Sequence, residues 1–300
     1  PSLMHLTVSQ GNLTTDHLRE LKSFAQLAGF QWTNAPLTDD GLLAICELRK
    51  LKSLDLLWSA GRKAPPLTAR GFQGLAQLQE LEQFKLSGPA DDAMAAIAKL
   101  PNVHSVQLWA DALTDVGMLH MASLTKLREL KSDSELITDA GLAALRKMLR
   151  LESLKLYSPL ITDAGLSQIT RLTNIYNLEL RQAMLTDQGV QQLAALKNLK
   201  HLTITLSSTL TKEGIKKLRA RLSNCSFSDY QSSPGGGGNT SEILFDLFEW
   251  LKLNNLSRPV NSQQLSKRGN LLITRPPPAQ KHTRVVQQRQ DRFQRPRDVR

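Results

Sequence analysis

The heptapeptide LITDAGL stands at 136–142 and again at 160–166, 24 residues on, with near copies LTDDGL at 37, LTDVGM at 113 and LTDQGV at 185. No other feature limits the fold as much, because a unit this short cannot bury an apolar face alone and must stack on copies of itself. Aligned on the residue that opens the corner, the units begin at Leu13, Leu37, Leu67, Ala90, Leu113, Ile137, Ile161, Leu185 and Leu210. About ten residues before each, further only in the unit at 51, a second anchor recurs: Leu3, Leu27, Leu51, Leu81, Val103, Leu127, Leu151, Ile175 and Leu199. Nine units are visible.

From each second anchor the pattern runs apolar, x, x, apolar, x, apolar, as in LESLKL at 151, IYNLEL at 175 and LKHLTI at 199. This alternation predicts a short strand with Leu154 and Leu156 pointing inward. After ITDAG the spacing changes to three or four residues: Leu142, Leu145 and Leu149 in one unit, Leu166, Ile169 and Leu172 in the next. That spacing predicts one face of a short helix. Thr138 and Thr162 are placed to cap the helices, Asp139 and Asp163 to favour the helix dipole from the first turn, and Gly141 and Gly165 to let neighbouring helices approach closely. The other reading of the corner, a row of carboxylates holding a metal or acting as acid and base, is disfavoured. The acid recurs at one repeat position, one rung apart along the same edge, and has no histidine partner.

These units, over residues 1 to about 228, resemble the leucine-rich repeat family. Their ITDAGL form is similar to the bacterial subtype and to the cysteine-containing subtype of F-box-type ubiquitin ligase subunits. The resemblance implies an α/β fold: a right-handed leucine-rich repeat solenoid, or horseshoe, with a parallel inner sheet and short outer helices, that binds other macromolecules. Many members carry Asn or Cys in the turn after the strand. Here those positions hold Gly11, Ala35, Asp111, Glu135, Pro159 and Ala183, so the turn must satisfy its backbone by other means. The cysteines of the F-box-associated subtype and an F-box-like segment are absent, and an adaptor for such a ligase would need a docking domain upstream of Pro1. Two units depart from the period: the one at 51 carries SAGRKA as extra residues at 59–64, and the one at 81 is shortened to PADDAM.

With the strands on the inner surface, the residues between the leucines face the concavity and are free to encode a partner. One column holds His5, Gly29, Ser53, Gln83, Ser105, Glu129, Ser153, Asn177 and His201; a second runs from Thr7 to Thr203 and a third from Ser9 to Thr205. The ends of these columns are small and neutral. Units five to eight gather Trp109, Glu129, Lys131, Asp133, Lys155, Tyr157, Glu179 and Arg181. Trp, Tyr and Arg are the residue types enriched at binding hot spots, so this patch is the candidate partner-binding site. Its balance of charge is unlike the basic stripe of a nucleic-acid surface.

No catalytic set emerges. The six histidines are scattered, and His5 and His201, which share a column, would be eight rungs, roughly 38 Å, apart. There is no GxxxxGK[ST], HExxH or GxSxG, so no enzyme, cofactor or metal is expected. Cys46 and Cys225 form neither a disulfide framework nor a zinc motif, which favours the cytoplasm. The chain nevertheless opens inside a repeat, and residues preceding Pro1 are expected. No apolar run reaches the roughly 18 residues that span a bilayer.

The net charge of +11 is uneven: residues 231–300 hold 12 basic and 5 acidic side chains. The solenoid is expected to occupy 1–230, its last unit turning Lys216, Lys217, Arg219 and Arg221 to water. A Gly/Ser-rich linker follows at 231–239, then an amphipathic helix at 240–257 with an apolar arc from Leu244 to Leu251 that calls for a partner. A basic disordered tail at 258–300 ends the chain. The partner expected is a protein on the concave face; nucleic acid or another polyanion enters only through the arginine-rich tail.

Overall fold

The computed structural model describes residues 3–9, 13–57, 67–88, 90–109 and 113–231. The chain divides into two compact units, Pro1–Gly236 and Gly237–Arg300, and all the described residues lie in the first. The insertion at 59–64, the linker beyond Gln231, the apolar segment at 240–257 and the basic tail at 258–300 lie outside the described residues.

Among the described residues, ten strands form one parallel sheet in chain order: β1 (His5–Ser9), β2 (Gly29–Thr33), β3 (Ser53–Leu57), β4 (Gln83–Ser87), β5 (Ser105–Trp109), β6 (Glu129–Ser132), β7 (Ser153–Tyr157), β8 (Asn177–Arg181), β9 (His201–Leu206) and β10 (Ser226–Gln231). Each strand therefore pairs with its sequence neighbours, as a stack of one repeated unit requires. The register is the one the repeat predicts, with His5, Gly29, Ser53, Gln83, Ser105, Glu129, Ser153, Asn177 and His201 in a single row. The tenth rung is not visible in the nine-unit alignment. Ser226–Gln231 reads SFSDYQ and carries neither the strand alternation, nor the leucine anchor, nor a TDxG corner after it.

Between strands run short helices: α1 (Thr15–Glu20), α2 (Asp39–Cys46), α3 (Ala69–Gln73), α4 (Asp91–Ile97), α5 (Asp115–Met121), α6 (Asp139–Leu142), α7 (Asp163–Ile169) and α8 (Lys212–Arg221). Unit eight uses a 3₁₀ segment, Gly189–Ala195, in place of an α-helix. Inward strand residues such as Val106, Leu108, Leu154 and Leu156 are almost wholly buried against the helices in one continuous core. The spacing expected of Leu142, Leu145 and Leu149 holds only in part. After Leu142 the helix tightens to 3₁₀ over Ala143–Lys147, where residues three apart eclipse, so Met148 takes the buried place and Leu149 is left 58% exposed.

The repeated corner does more than cap. Thr138 and Thr162 accept from the backbone N–H groups of Ala140 and Ala164, as N-caps should. Each aspartate also reaches the next rung: Asp115 accepts from the Thr138 N–H at 2.9 Å and its hydroxyl at 2.6 Å, and Asp139 does the same for Thr162 at 2.8 and 2.6 Å. The bonds recur from Asp39 to Thr68, Asp91 to Thr114, Asp163 to Thr186 and Asp187 to Thr211. The glycine makes room for this carboxylate. A Cβ on Gly141 would lie 2.3 Å from Asp115 Oδ1, and the glycine N–H can add a bond, as from Gly117 to Asp91 at 3.1 Å. So T-D-x-G is an interlock between rungs, with the Asp of one seated against the Thr and Gly of the next.

Buried serines replace the missing Asn ladder. Ser134 and Ser158, both fully buried, donate to the carbonyls of Leu113 and Ile137 at 2.6 Å and accept from the N–H groups of Leu136 and Leu160. Thr209 donates likewise to Leu185 O at 2.8 Å. Each hydroxyl ties a turn to the rung before it, which keeps buried backbone groups paired.

Candidate interaction face

The sheet has one face packed on the helices and one open to solvent, and the period-2 alternation sends every second strand side chain to the open face. All eight residues of the expected patch are half-buried, on β5–β8 or, for Asp133, one residue beyond β6. The Asp133 N–H still bonds Leu108 O at 3.1 Å, so it stays in the ladder.

Seven of the eight gather in the middle and C-terminal columns. The Lys131 ammonium lies 4.8 Å from the centre of the Trp109 ring, a cation–π contact, and 3.6 Å from Asp133. Tyr157 and Arg181 are register partners on β7 and β8. Arg181 pairs with Glu179 at 2.5 Å, and Lys155 faces the other oxygen of Glu179 at 3.9 Å. Burial pushes the Tyr157 hydroxyl above its usual range; the negative charges of Glu135 and Asp133 act the same way, partly offset by a hydrogen bond with Gln182 and the positive charge of Arg181. Gln182 itself has φ 57°, a left-handed residue that turns the chain out of β8. Glu129 stands apart at the N-terminal end of β6, where it accepts from the Ser105 hydroxyl at 2.9 Å.

Glu129 belongs to a second feature, a groove of about 400 Å³ along the N-terminal ends of β4–β8. Its floor is set by side chains such as Gln107, Ser153 and Lys155, and its rim by His104, Arg128, Glu152 and Tyr176. Sequence reasoning misses the rim residues. Alternation counted back from the buried Leu130 and Leu178 would turn the residues just before each strand inward, yet Arg128 and Tyr176 are exposed. The cause is a doubled bond at each strand entry: Arg128 N and Glu129 N both donate to His104 O, Glu152 N and Ser153 N to Arg128 O, and Tyr176 N and Asn177 N to Glu152 O. Two residues oppose one, as in a bulge, and the alternation slips by one place. The polar character of 128, 152 and 200 at a fixed offset from the anchor is the available signal. Across the rim Arg128 and Glu152 pair at 3.4 Å, while Glu82 lies 3.7 Å from His104.

Among the described residues there is no group of three or more His, Cys, Asp or Glu side chains that could hold a metal ion, and no helix long and apolar enough to cross a membrane. His5 and His201 lie at opposite ends of the same row, on β1 and β9. The cysteines Cys46 and Cys225 are both free and buried. Burial pushes the Cys46 thiol up to about 12, which removes its thiolate at neutral pH.

No family model matches the chain, and no curated protein matches it. Among solved structures it is similar to an internalin, InlF, from Listeria monocytogenes str. 4b F2365, at 15% identity and a TM-score of 0.36 over 77% of this chain and 83% of that one. It is also similar to TLR13, solved in complex with ssRNA13, at 18% identity and a TM-score of 0.48 over 77% of this chain; the match spans 36% of the TLR13 chain. What fixes the fold is the chain's own geometry: ten parallel strands in sequence order, one register, a leucine core and a corner repeated along the stack. The described residues form an α/β leucine-rich repeat solenoid.

Proposed function

We propose that this chain is a non-enzymatic scaffold that binds a protein partner on the concave face of its sheet, through the patch around Trp109, Lys131, Tyr157 and Arg181. The observation that carries this reading is the concentration of two half-exposed aromatics and their flanking cations on one rigid face. A sheet pinned on both sides by register and interlocked corners presents them with little ordering cost, and Trp, Tyr and Arg supply most of the energy at interfaces of this kind. Concavity follows from the layers: strands repeat at about 4.8 Å while packed helices need about 8–10 Å, so the sheet takes the inside of the curve. The binding unit in this reading is residues 1–230, with 231–239 as linker and 240–300 as an appended helix and tail.

A second reading is favoured by the 12 basic against 5 acidic side chains of residues 231–300: contact with a polyanion through the tail, with the solenoid as spacer. One experiment separates them. The full chain, a Trp109→Ser/Tyr157→Ser variant and a variant with Arg289, Arg292, Arg295 and Arg297 changed to Gln are used as baits in native extract, with and without nuclease and added salt. A protein partner lost only with the aromatic variant supports the face. Capture that follows the arginines and is stripped by salt or nuclease overturns it.

A further inference from the structure

We infer that the partner segment seated on this face carries a single acidic side chain, flanked by apolar residues, whose carboxylate lies between Lys131 and Lys155. The inference rests on the proposed use of the face and adds the chemistry of what the face selects. The middle column reads Asp55, Lys85, Gln107, Lys131, Lys155, Glu179, each residue in register with the next. At one end the balance is complete: Lys85 donates to Asp55 at 3.0 Å. At the other it is not, because Glu179 is taken up by Arg181 at 2.5 Å and its remaining oxygen is 3.9 Å from Lys155. Asp133 is 3.6 Å from Lys131. Both separations exceed a hydrogen bond, and neither ammonium group has a hydrogen bond among the described residues.

Lys131 and Lys155 are therefore like charges directly opposite each other on neighbouring parallel strands, about 4.8 Å apart at the backbone, with side chains only 30% and 36% exposed. Such a pair is unfavourable when its heads approach, and in the free protein they lean apart, Lys131 over Trp109 and Lys155 towards Glu179, which leaves the space between them without an anion. One carboxylate seated there can draw both flexible lysine heads back and accept from each, forming two charge-assisted bonds. The surroundings limit how much negative charge can follow it. Glu129 and Asp133 lie two residues before and after Lys131 on the same strand line, and Glu179 lies beyond Lys155, so a run of acids or a phosphate backbone would meet carboxylates on three sides. Beside the lysines lie the Trp109 and Tyr157 rings, which suit an apolar neighbour of the acid.

The test is a displayed library of short random peptides panned against four full-length baits: the native chain, Lys131→Gln/Lys155→Gln, Lys131→Glu/Lys155→Glu and Trp109→Ser/Tyr157→Ser, each checked by thermal unfolding. The basic tail is common to all four, so only differences between baits are read. The native chain is expected to enrich clones with one Asp or Glu beside aromatic or aliphatic residues. These clones should bind the Gln variant at least about tenfold more weakly. The charge-reversed variant should enrich Lys or Arg at the same place instead. Acidic clones that bind the Gln variant as well as the native chain overturn the inference, as does a native selection with no acid enrichment or one dominated by acidic runs. If binding is lost with the aromatic variant but kept with both lysine variants, the face stands and the acid preference falls. Binding equal on all four baits overturns both.

Discussion

Gly141 shows how a single residue answers to a neighbour in the preceding rung. A methyl there would lie 2.3 Å from Asp115 Oδ1 and 3.2 Å from Ile137 Cγ2. The chain supplies its own control: α4 follows a rung with Ala69 where six of the nine rungs have Asp, and the glycine position of α4 is Ala93, fully buried without conflict. Glycine is required where the preceding rung sends an aspartate. Gly141→Ala would gain roughly 1 kcal/mol of helix propensity but must displace the carboxylate and its two bonds to Thr138, so a net loss of about 1–2 kcal/mol is expected, read as a lower urea midpoint at unchanged slope. Ser132 gives the opposite sign. It fills an inward position that neighbouring strands give to Leu108 and Leu156, it is fully buried, and its hydroxyl has no hydrogen-bond partner among the described residues. Ser132→Ala removes an uncompensated desolvation at nearly constant volume and should raise stability by about 1 kcal/mol, seen as a higher urea midpoint.

At the scale of the element, the corner is where sequence and structure agree on the parts and differ on their purpose. The Thr cap and the first-turn Asp are legible in TDAG because both are local, within one turn of helix. The partner of that Asp is a rung away, and no local pattern names it. The same limit hides Ser134 and Ser158, which act on carbonyls 21 residues earlier, and the doubled bonds at the strand entries that expose Arg128 and Tyr176. By contrast the columns of the open face are legible, because period-2 alternation and a fixed register determine them without contacts. The interlock carries a pH signature. Burial raises the Asp39 carboxyl, but hydrogen bonds from the Thr68 hydroxyl and N–H, the charge of Arg70 and the Gly71 N–H outweigh it and hold the group below its ordinary 3.8. Asp187 is lowered by the N–H and hydroxyl of Thr211, opposed by slight desolvation and aided by Lys217. A depressed folded value means that the unfolded chain binds the proton more readily. The stabilisation is thus complete above the ordinary carboxylate range and is lost as pH falls through 3.8 and below. Asp39→Asn and Asp187→Asn should each show a smaller drop in thermal midpoint between about pH 7 and about pH 3 than the native chain.

Across the whole molecule the interlock is not continuous. Ala69 and Ala90 stand where the Asp and Thr would bridge α3 and α4, so the helix layer has a gap between rungs three and four. There the sheet side takes over: Lys85 donates to Asp55 at 3.0 Å and Lys52 to Glu82 at 3.1 Å, both across β3 and β4, while Phe72 and Phe84 fill the core behind them. Of the two ion pairs only the first is sheltered, with side chains 30% and 12% exposed, against 55% and 38% for the second. Removing one member of a sheltered pair leaves the other buried and unmatched, whereas an exposed pair contributes little. Lys85→Ala should therefore cost about 2 kcal/mol, and Arg128→Ala, whose partner Glu152 is 39% exposed, less than about 0.5 kcal/mol. In a stack where each rung touches only its neighbours, such a loss acts where the junction is weakest. Hydrogen exchange of the Lys85→Ala variant should show the amides of β1–β3 opening together and faster than in the native chain, while those of β6–β8, between interlocked corners, keep their protection. Uniform acceleration over all ten strands would mean that the solenoid unfolds as one unit, with the gap between α3 and α4 fully closed by the core.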